Sequence, residues 1–514
     1  MGEYTANDVN NQSKLKVKEG NVLYESTRGN LHGQTASQAI TLGMVPNGGL
    51  FVPSAFPDLN WQDLEGLTYG EVAKRVMMPY LTDFSEEAVS QIVNVYSDGT
   101  FDGEDPAPLV SLGSFGVLEL WHGPTAAFKD MALQVLPDLL RISLKQFNRD
   151  EEVLILVATS GDTGKAALEG FKDRKGMHIV VFYPEGGVSP VQERQMTTTE
   201  GSNTHVVAVK GNFDQCQTAV KQIFGSDTLK AQLQEKQLIF SSANSINWGR
   251  LLPQIVYYYW AYLQAVKQGK VPSGGKMNVV VPTGNFGNLQ AAYYAKRMGL
   301  PLDRIICASN SNNVLADFFA SGVYESQRAF YQTISPSMDI LVSSNFERFL
   351  YEMSGRDAEK IRTWYDSSRQ GTFTVDPTTL KACQDTVYAG WANEEETLET
   401  ITRSYQTYQY VFDPHTAVAM KVYEDYRSET KDQTFTVIAS TASPFKFSSN
   451  VIRGLDGVNQ ESCRDEWEAL KRLNQLTGWE IPKGLQGLEN KPEKTVSSCT
   501  PEGIADLIQT MFVG

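Results

Sequence analysis

Cysteine is scarce and scattered. Cys216, Cys307, Cys383, Cys463 and Cys499 are the whole complement of 514 residues, and no two form a C-x-x-C pair. That spacing speaks against a zinc site and a disulfide framework, and it fits a reducing, cytoplasmic setting. Histidine is as rare, with five in the chain and no ligand spacing among His32, His178 and His205, which read as structural. Long apolar runs are missing: Leu251 to Val266 is too short to cross a bilayer, carries Gln254 and Gln264, and reads as a core helix. A basic excess is absent too. The 45 Lys and Arg face 60 Asp and Glu, and the net charge of -15 argues against nonspecific nucleic-acid binding. Residues 1–20 lack the apolar centre of a signal peptide and the Arg-rich, acid-poor character of a transit peptide, and Ala6 stands where myristoylation prefers Ser or Thr. They read as a disordered extension. No internal repeat is found.

What is present is apolar content for a core of more than one domain, at 41 % of residues. Strand-length apolar runs alternate with helical stretches at Val117–Leu120, Val153–Val157, His178–Phe182, Val206–Val209, Asn278–Val281, Ile305–Ala308 and Thr436–Ala439. That alternation predicts an α/β fold of parallel sheets covered on both faces, with ligands gathering at the carboxyl ends of strands. Upstream, residues 21–107 contain helical stretches at Glu71–Leu81 and Ser85–Tyr96 and end in the turn-rich Ser97–Pro108. A core over 108–450 follows, with a polar helical insert at about 351–410, and then a helical tail over 451–514.

One lysine stands out. In Trp121-His122-Gly123-Pro124-Thr125-Ala126-Ala127-Phe128-Lys129-Asp130 the amine sits among small and apolar residues. Burial disfavours the ammonium form and yields an amine able to form a Schiff base. The plainer alternative is a snorkelling lysine, or one paired with Asp130. Two loops weigh on that choice. Val153–Thr159 runs into Ser160-Gly161-Asp162-Thr163-Gly164 and a helix, and Asn278–Pro282 runs into Thr283-Gly284-Asn285-Phe286-Gly287-Asn288 and a helix. Each sets backbone N–H groups at a helix N-terminus, where glycines let a phosphate or carboxylate approach closely. A further segment, Asn244-Ser245-Ile246-Asn247-Trp248-Gly249-Arg250, offers hydroxyl, amide and guanidinium donors suited to a phosphate monoester. Its bland reading is a helix cap and a salt bridge. Of the two remaining histidines, His122 is preferred over His415 as a residue lining the site.

These residues, in this order, resemble the threonine synthase family of pyridoxal-phosphate (PLP) enzymes. The likeness spans about residues 22–450: Tyr24-Glu25-Ser26-Thr27-Arg28-Gly29, His122-Gly123-Pro124-Thr125, Lys129-Asp130, both glycine loops, Asn244–Arg250, Asp413-Pro414-His415-Thr416 and Ser440-Thr441-Ala442. It implies PLP fold type II, with two parallel-sheet α/β subdomains and an N-terminal, mainly helical domain. It implies Lys129 as the Schiff-base lysine and proton carrier. The cofactor phosphate would lie in Gly284, Asn285, Phe286 and Gly287, with Thr283 and Asn288 at the edges. The Thr441 hydroxyl would face the pyridine nitrogen, where other PLP folds use Asp, giving a milder electron sink. Ser160, Gly161 and Thr163 would grip the substrate α-carboxylate. Asp162, where related folds often have Asn, would accept a hydrogen bond from the cofactor hydroxyl or from backbone amides. Asn244, Ser245, Asn247 and Arg250 would hold the side-chain phosphate of O-phospho-L-homoserine.

The implied reaction is γ-elimination of phosphate and addition of water at the β-carbon, giving L-threonine as the last step of threonine biosynthesis. It needs a base reaching two carbons, a conjugated sink, and donors for the departing phosphate. Two departures from the family pattern are visible: Lys165, adding charge near a phosphate or pointing to solvent, and Ser443-Pro444-Phe445-Lys446-Phe447 in place of His-Pro-Ala-Lys-Phe. Rival readings are a threonine-synthase-like phospho-lyase, a threonine dehydratase, which has no need of the Asn244–Arg250 donors, and a noncatalytic PLP-binding regulatory module. The oligomeric state stays open between monomer and homodimer, and neither nucleic acid nor membrane is expected as a partner.

Overall fold

The computed structural model describes residues 21–514 except 148–149, 160, 368–370, 457–464 and 495. The extension over 1–20 expected to be disordered, Ser160 and Cys463 lie outside the described residues.

Continuous runs of Val, Ile and Leu, without polar alternation, suit strands covered on both faces. Such runs build two sheets. The first has six strands in the order Val387–Trp391, Leu302–Ser309, Met277–Pro282, Thr436–Ser440, Phe115–Glu119 and Leu109–Ser111. Every neighbour in it is parallel except Leu109–Ser111, which folds back on Phe115–Glu119. The second has five strands, all parallel, in the order Ser497–Cys499, Thr204–Val209, Met177–Pro184, Glu152–Ala158 and Leu238–Ser241. The chain leaves the first sheet after Glu119, lays four strands of the second, and returns through the helix Trp248–Lys267. Nearly every residue in the first three turns of that helix is buried, as the apolar run Leu251–Val266 predicts. One apolar core joins it to the N-terminal helices and to faces of both sheets.

In the N-terminal region the helices run over Ala36–Leu42, Tyr69–Met77 and Glu86–Val93, the last continued by a 3-10 turn at Asn94–Tyr96. The first predicted helix starts two residues early and stops four short. Thr68 and Glu71 form a capping box that sets the start, and Pro79 lacks the N–H needed to continue.

Two segments read as helical carry strands as well. Val387–Trp391, within 351–410, is an edge of the six-stranded sheet, with Tyr388 opposite Ile306. Ser497–Cys499, in the tail, pairs with Val207–Val209 and closes an edge of the five-stranded sheet. A short edge strand is defined by the partner it meets, not by its own periodicity.

Candidate active site

The carboxyl ends of strands from both sheets open onto one cavity of about 2040 Å³, lined by Ala158 and Thr159, by Pro282 and Thr283, and by Thr441. Lys129 lines it too. The loop that presents this lysine is built locally. Thr125 donates its backbone N–H and its hydroxyl to the two oxygens of Asp130, at 2.8 and 2.9 Å. Ala126 takes a left-handed φ of 56°. Gly123 has no room for a side chain, since a Cβ there would lie 2.4 Å from Asp130. The loop is then stitched to the strand end that carries Thr441: Phe128 N–H donates to the Thr441 carbonyl at 2.8 Å, and Ser443 N–H to the Ala126 carbonyl at 3.1 Å. Asp130 is therefore engaged by Thr125 and makes no ion pair with Lys129. Burial pushes its carboxyl up to about 6.

The Lys129 amine lies 3.3 Å from Ser337 Oγ and 3.8 Å from Asp162 Oδ2. Burial lowers its pKa to about 8; Asp162 opposes that shift, and the charges of Lys446 and Arg250 add to it. Asp162 itself is buried, which alone would raise it. The ammonium groups of Lys446 and Lys129 outweigh burial and hold it well below the usual carboxylate range.

The loop Gly284–Gly287 enters the helix Gly287–Arg297 through Phe286 at φ 65°. Gly284 packs against backbone, so that a Cβ there would meet the Ser337 carbonyl at 2.6 Å. Among the described residues, no backbone acceptor takes the N–H groups of Gly284, Asn285, Phe286 or Gly287, and all four residues line the cavity. Beyond them, Tyr257 and Tyr258 both donate to Asn288 Oδ1 at 2.6 Å, leaving Nδ2 buried without a partner. Free donors at a helix N-terminus in one cavity with a lowered lysine suit a phosphorylated aldehyde.

Arg250, in the first turn of Trp248–Lys267, is 3 % exposed. Nη1 donates to the Ala243 carbonyl at 2.8 Å, and Nε has no partner. Among the described residues no carboxylate pairs with it, and burial lowers its pKa to about 10. Asn244, Ser245 and Thr163 join it on the cavity wall. The salt-bridge alternative for Arg250 therefore fails, and the cavity holds a buried cation with unfilled donor capacity.

Family models and relatives point the same way. Residues 101–441 match the model described as pyridoxal-phosphate dependent enzyme, 23–95 that of the threonine synthase N terminus, and 416–508 that of the threonine synthase C-terminal region. Threonine synthase of Schizosaccharomyces pombe is 39 % identical, covering 84 % of this chain and 88 % of that one. The chain belongs to the threonine synthase family. Human threonine synthase-like 1 is 38 % identical over 87 % of this chain, which spans 61 % of that longer protein. The PLP-bound threonine synthase of Brucella melitensis superposes with a TM-score of 0.84 at 37 % identity, covering 96 % of this chain and 99 % of that one. The fold is thus the type II fold of PLP enzymes, and the family's cofactor is pyridoxal phosphate.

Within this member of the threonine synthase family, several residues lie elsewhere than the sequence suggests. Asn247 does not reach the cavity. Its Oδ1 caps the helix by accepting Gly249 N–H at 2.9 Å, and its Nδ2 donates to the carbonyls of Ile40 and Ser242, each at 3.1 Å. Gly161 turns at φ 136° against Gln192, which leaves it and Asp162 off the cavity wall. Asp162 reaches the site only through its contacts to Lys129 and Ser337. Lys165 neither serves a phosphate nor points to solvent, since it pairs with Glu169 at 2.8 Å and donates to Thr199 at 2.9 Å. His122 pairs with Glu119 at 2.7 Å away from the cavity, and His415 is the histidine that lines it. Sequence reasoning missed Ser337 and Lys446, and it ranked His415 below His122. Only Lys446 carried a usable signal, being a lysine set between two phenylalanines, as unusual a setting as that of Lys129.

Proposed function

We propose that the chain converts O-phospho-L-homoserine and water to L-threonine and phosphate, as a carbon–oxygen lyase of the cytoplasm. The observation that carries this reading is Arg250, a buried guanidinium with no carboxylate partner among the described residues, in the same cavity as a lysine whose pKa burial lowers to about 8. A dehydratase, with no substrate phosphate, has no use for it. Gly284, Asn285, Phe286, Gly287, Asn288 and Thr283 would hold the cofactor phosphate, and Thr441 would offer its hydroxyl to the pyridine nitrogen. When bound there, pyridoxal phosphate supplies the conjugated sink for electrons left behind when a proton departs the carbon beside the amine.

The chain's own groups do the rest. Lys129, whose buried nitrogen gives up a proton more readily than an exposed lysine does, takes and returns protons at the α- and β-carbons. Arg250, with Asn244 and Ser245, binds the side-chain phosphate and steadies the charge that grows on it as it leaves. Thr163 and the backbone beside it orient the α-carboxylate.

The test offers O-phospho-L-homoserine to the PLP-loaded protein and follows threonine and phosphate together, with Lys129→Ala as control. Equal release of both products, lost in the variant, supports the reading. Phosphate with a keto acid in place of threonine would favour a phospho-lyase. A coloured protein with no turnover would favour the regulatory module.

A further inference from the structure

Lys446 is completely buried in the 3-10 turn Pro444–Phe447, five residues past Thr441. A buried ammonium is costly unless it is paired and hydrogen-bonded. Both conditions are met. Its Nζ lies 2.6 Å from Asp162 Oδ1 and donates to the Thr125 carbonyl at 3.0 Å. One side chain thus ties three pieces of the site: the loop that presents Lys129, the helix that begins at Asp162, and the segment that carries Thr441.

The consequence falls on Asp162. Oδ1 is taken by Lys446 and by Gln192 Nε2 at 3.0 Å. Oδ2 accepts from Ser337 Oγ at 3.1 Å and faces the Lys129 amine at 3.8 Å. The carboxylate is therefore held from behind by a cation and presented forwards to the reacting nitrogen. Without Lys446, a buried Asp162 would answer to Lys129 alone and would close on it as a simple ion pair, which would hold the amine protonated.

We propose that Lys446 is a positioning residue which, by pinning Oδ1 of Asp162, keeps Oδ2 as a measured counter-charge to the Lys129 nitrogen. This rests on the reading of Lys129 as the lysine that carries the cofactor. The charged groups facing that nitrogen are Asp162, Lys446 and Arg250, each from a different element, and His415 meets it only through Ser337. Removing the cation and removing the anion must then move the nitrogen's protonation in opposite directions, a signature that loose packing does not produce.

The experiment titrates the visible band of the holoenzyme with pH, without substrate, in Lys446→Gln, Lys446→Arg and Asp162→Asn. Lys446→Gln keeps a donor for Asp162 and removes only the charge. Its transition is expected about one unit higher than in the unaltered chain, and that of Asp162→Asn about one unit lower, the scale of a single charge at this range. Lys446→Arg is expected to stay with the unaltered chain. Shifts in the same direction, or none, overturn the proposal. Should Lys446→Gln not fold, an unmoved transition in Asp162→Asn overturns it and a lowered one, with Lys446→Arg unmoved, upholds it. Should the chain take up no pyridoxal phosphate, the functional reading fails separately. The same shifts are then read from the pH profile of Lys129 acetylation by acetic anhydride, followed by mass spectrometry of the full chain.

Discussion

His415 accepts the backbone N–H of Ser337 through Nε2 at 3.1 Å, which leaves Nδ1 to donate to Asp413 Oδ1 at 2.7 Å. The imidazole thereby hangs the Ser337 segment over Lys129. His415→Phe would remove the acceptor and leave a half-buried N–H unmatched, at a cost of about 1 kcal/mol. We expect that loss in chemical denaturation of the holoenzyme, together with a kcat lowered at least about tenfold as Ser337 drifts from the amine.

Arg250→Met separates stability from activity. A buried cation with no counter-ion among the described residues is replaced by an apolar chain of similar length, so the fold is expected to hold or gain stability. Two charge-assisted hydrogen bonds to a substrate phosphate would go, and kcat/KM for O-phospho-L-homoserine is expected to fall about 100-fold or more. Steady-state kinetics beside a melting curve checks both halves.

Gly284→Ala strikes the cofactor loop. Its Cβ would need the space of the Ser337 carbonyl, 2.6 Å away. That carbonyl cannot easily yield, because Asp339 anchors its segment through Thr333 and Asn310 at 2.7 and 2.8 Å. The loop must move instead, and we expect affinity for pyridoxal phosphate to weaken by about tenfold or more in an equilibrium titration.

Lys129 carries a stability cost in the bare chain. Its pKa falls from 10.5 to about 8 on folding, so the folded state disfavours the proton that the unfolded state keeps. Stability therefore rises as pH climbs from about 8 to 10.5, and below 8 the full cost of roughly 3 kcal/mol is present. Lys129→Met is expected to stabilise the cofactor-free chain by about 2–3 kcal/mol at pH 7, with the gap closing above pH 8, while turnover is lost. Urea unfolding at pH 7 and pH 10 measures it.

The sequence by itself determined the parts of this protein that are written locally. A buried strand, a glycine turn and a helix start occupy consecutive residues, so Val153–Gly164 and Asn278–Asn288 declare two strand–turn–helix units before any contact is known; in the first, the structure turns the Gly161 and Gly164 N–H groups back onto Thr159 Oγ1. Lys129 declared itself by the apolar company of its neighbours. Tertiary structure decided what lies opposite. Lys129 meets Ser337 across 208 residues of chain, and Lys446 meets the Thr125 carbonyl across 321. Asn247 and Arg250 read alike as donors in one segment, yet the helix start turns one amide back to cap it and sends the guanidinium to the cavity. The strands Val387–Trp391 and Ser497–Cys499 exist because an unpaired sheet edge stands beside them. Periodicity and turn chemistry act over a few residues, whereas a cavity is shaped by which distant backbones pack together, and that depends on the whole core.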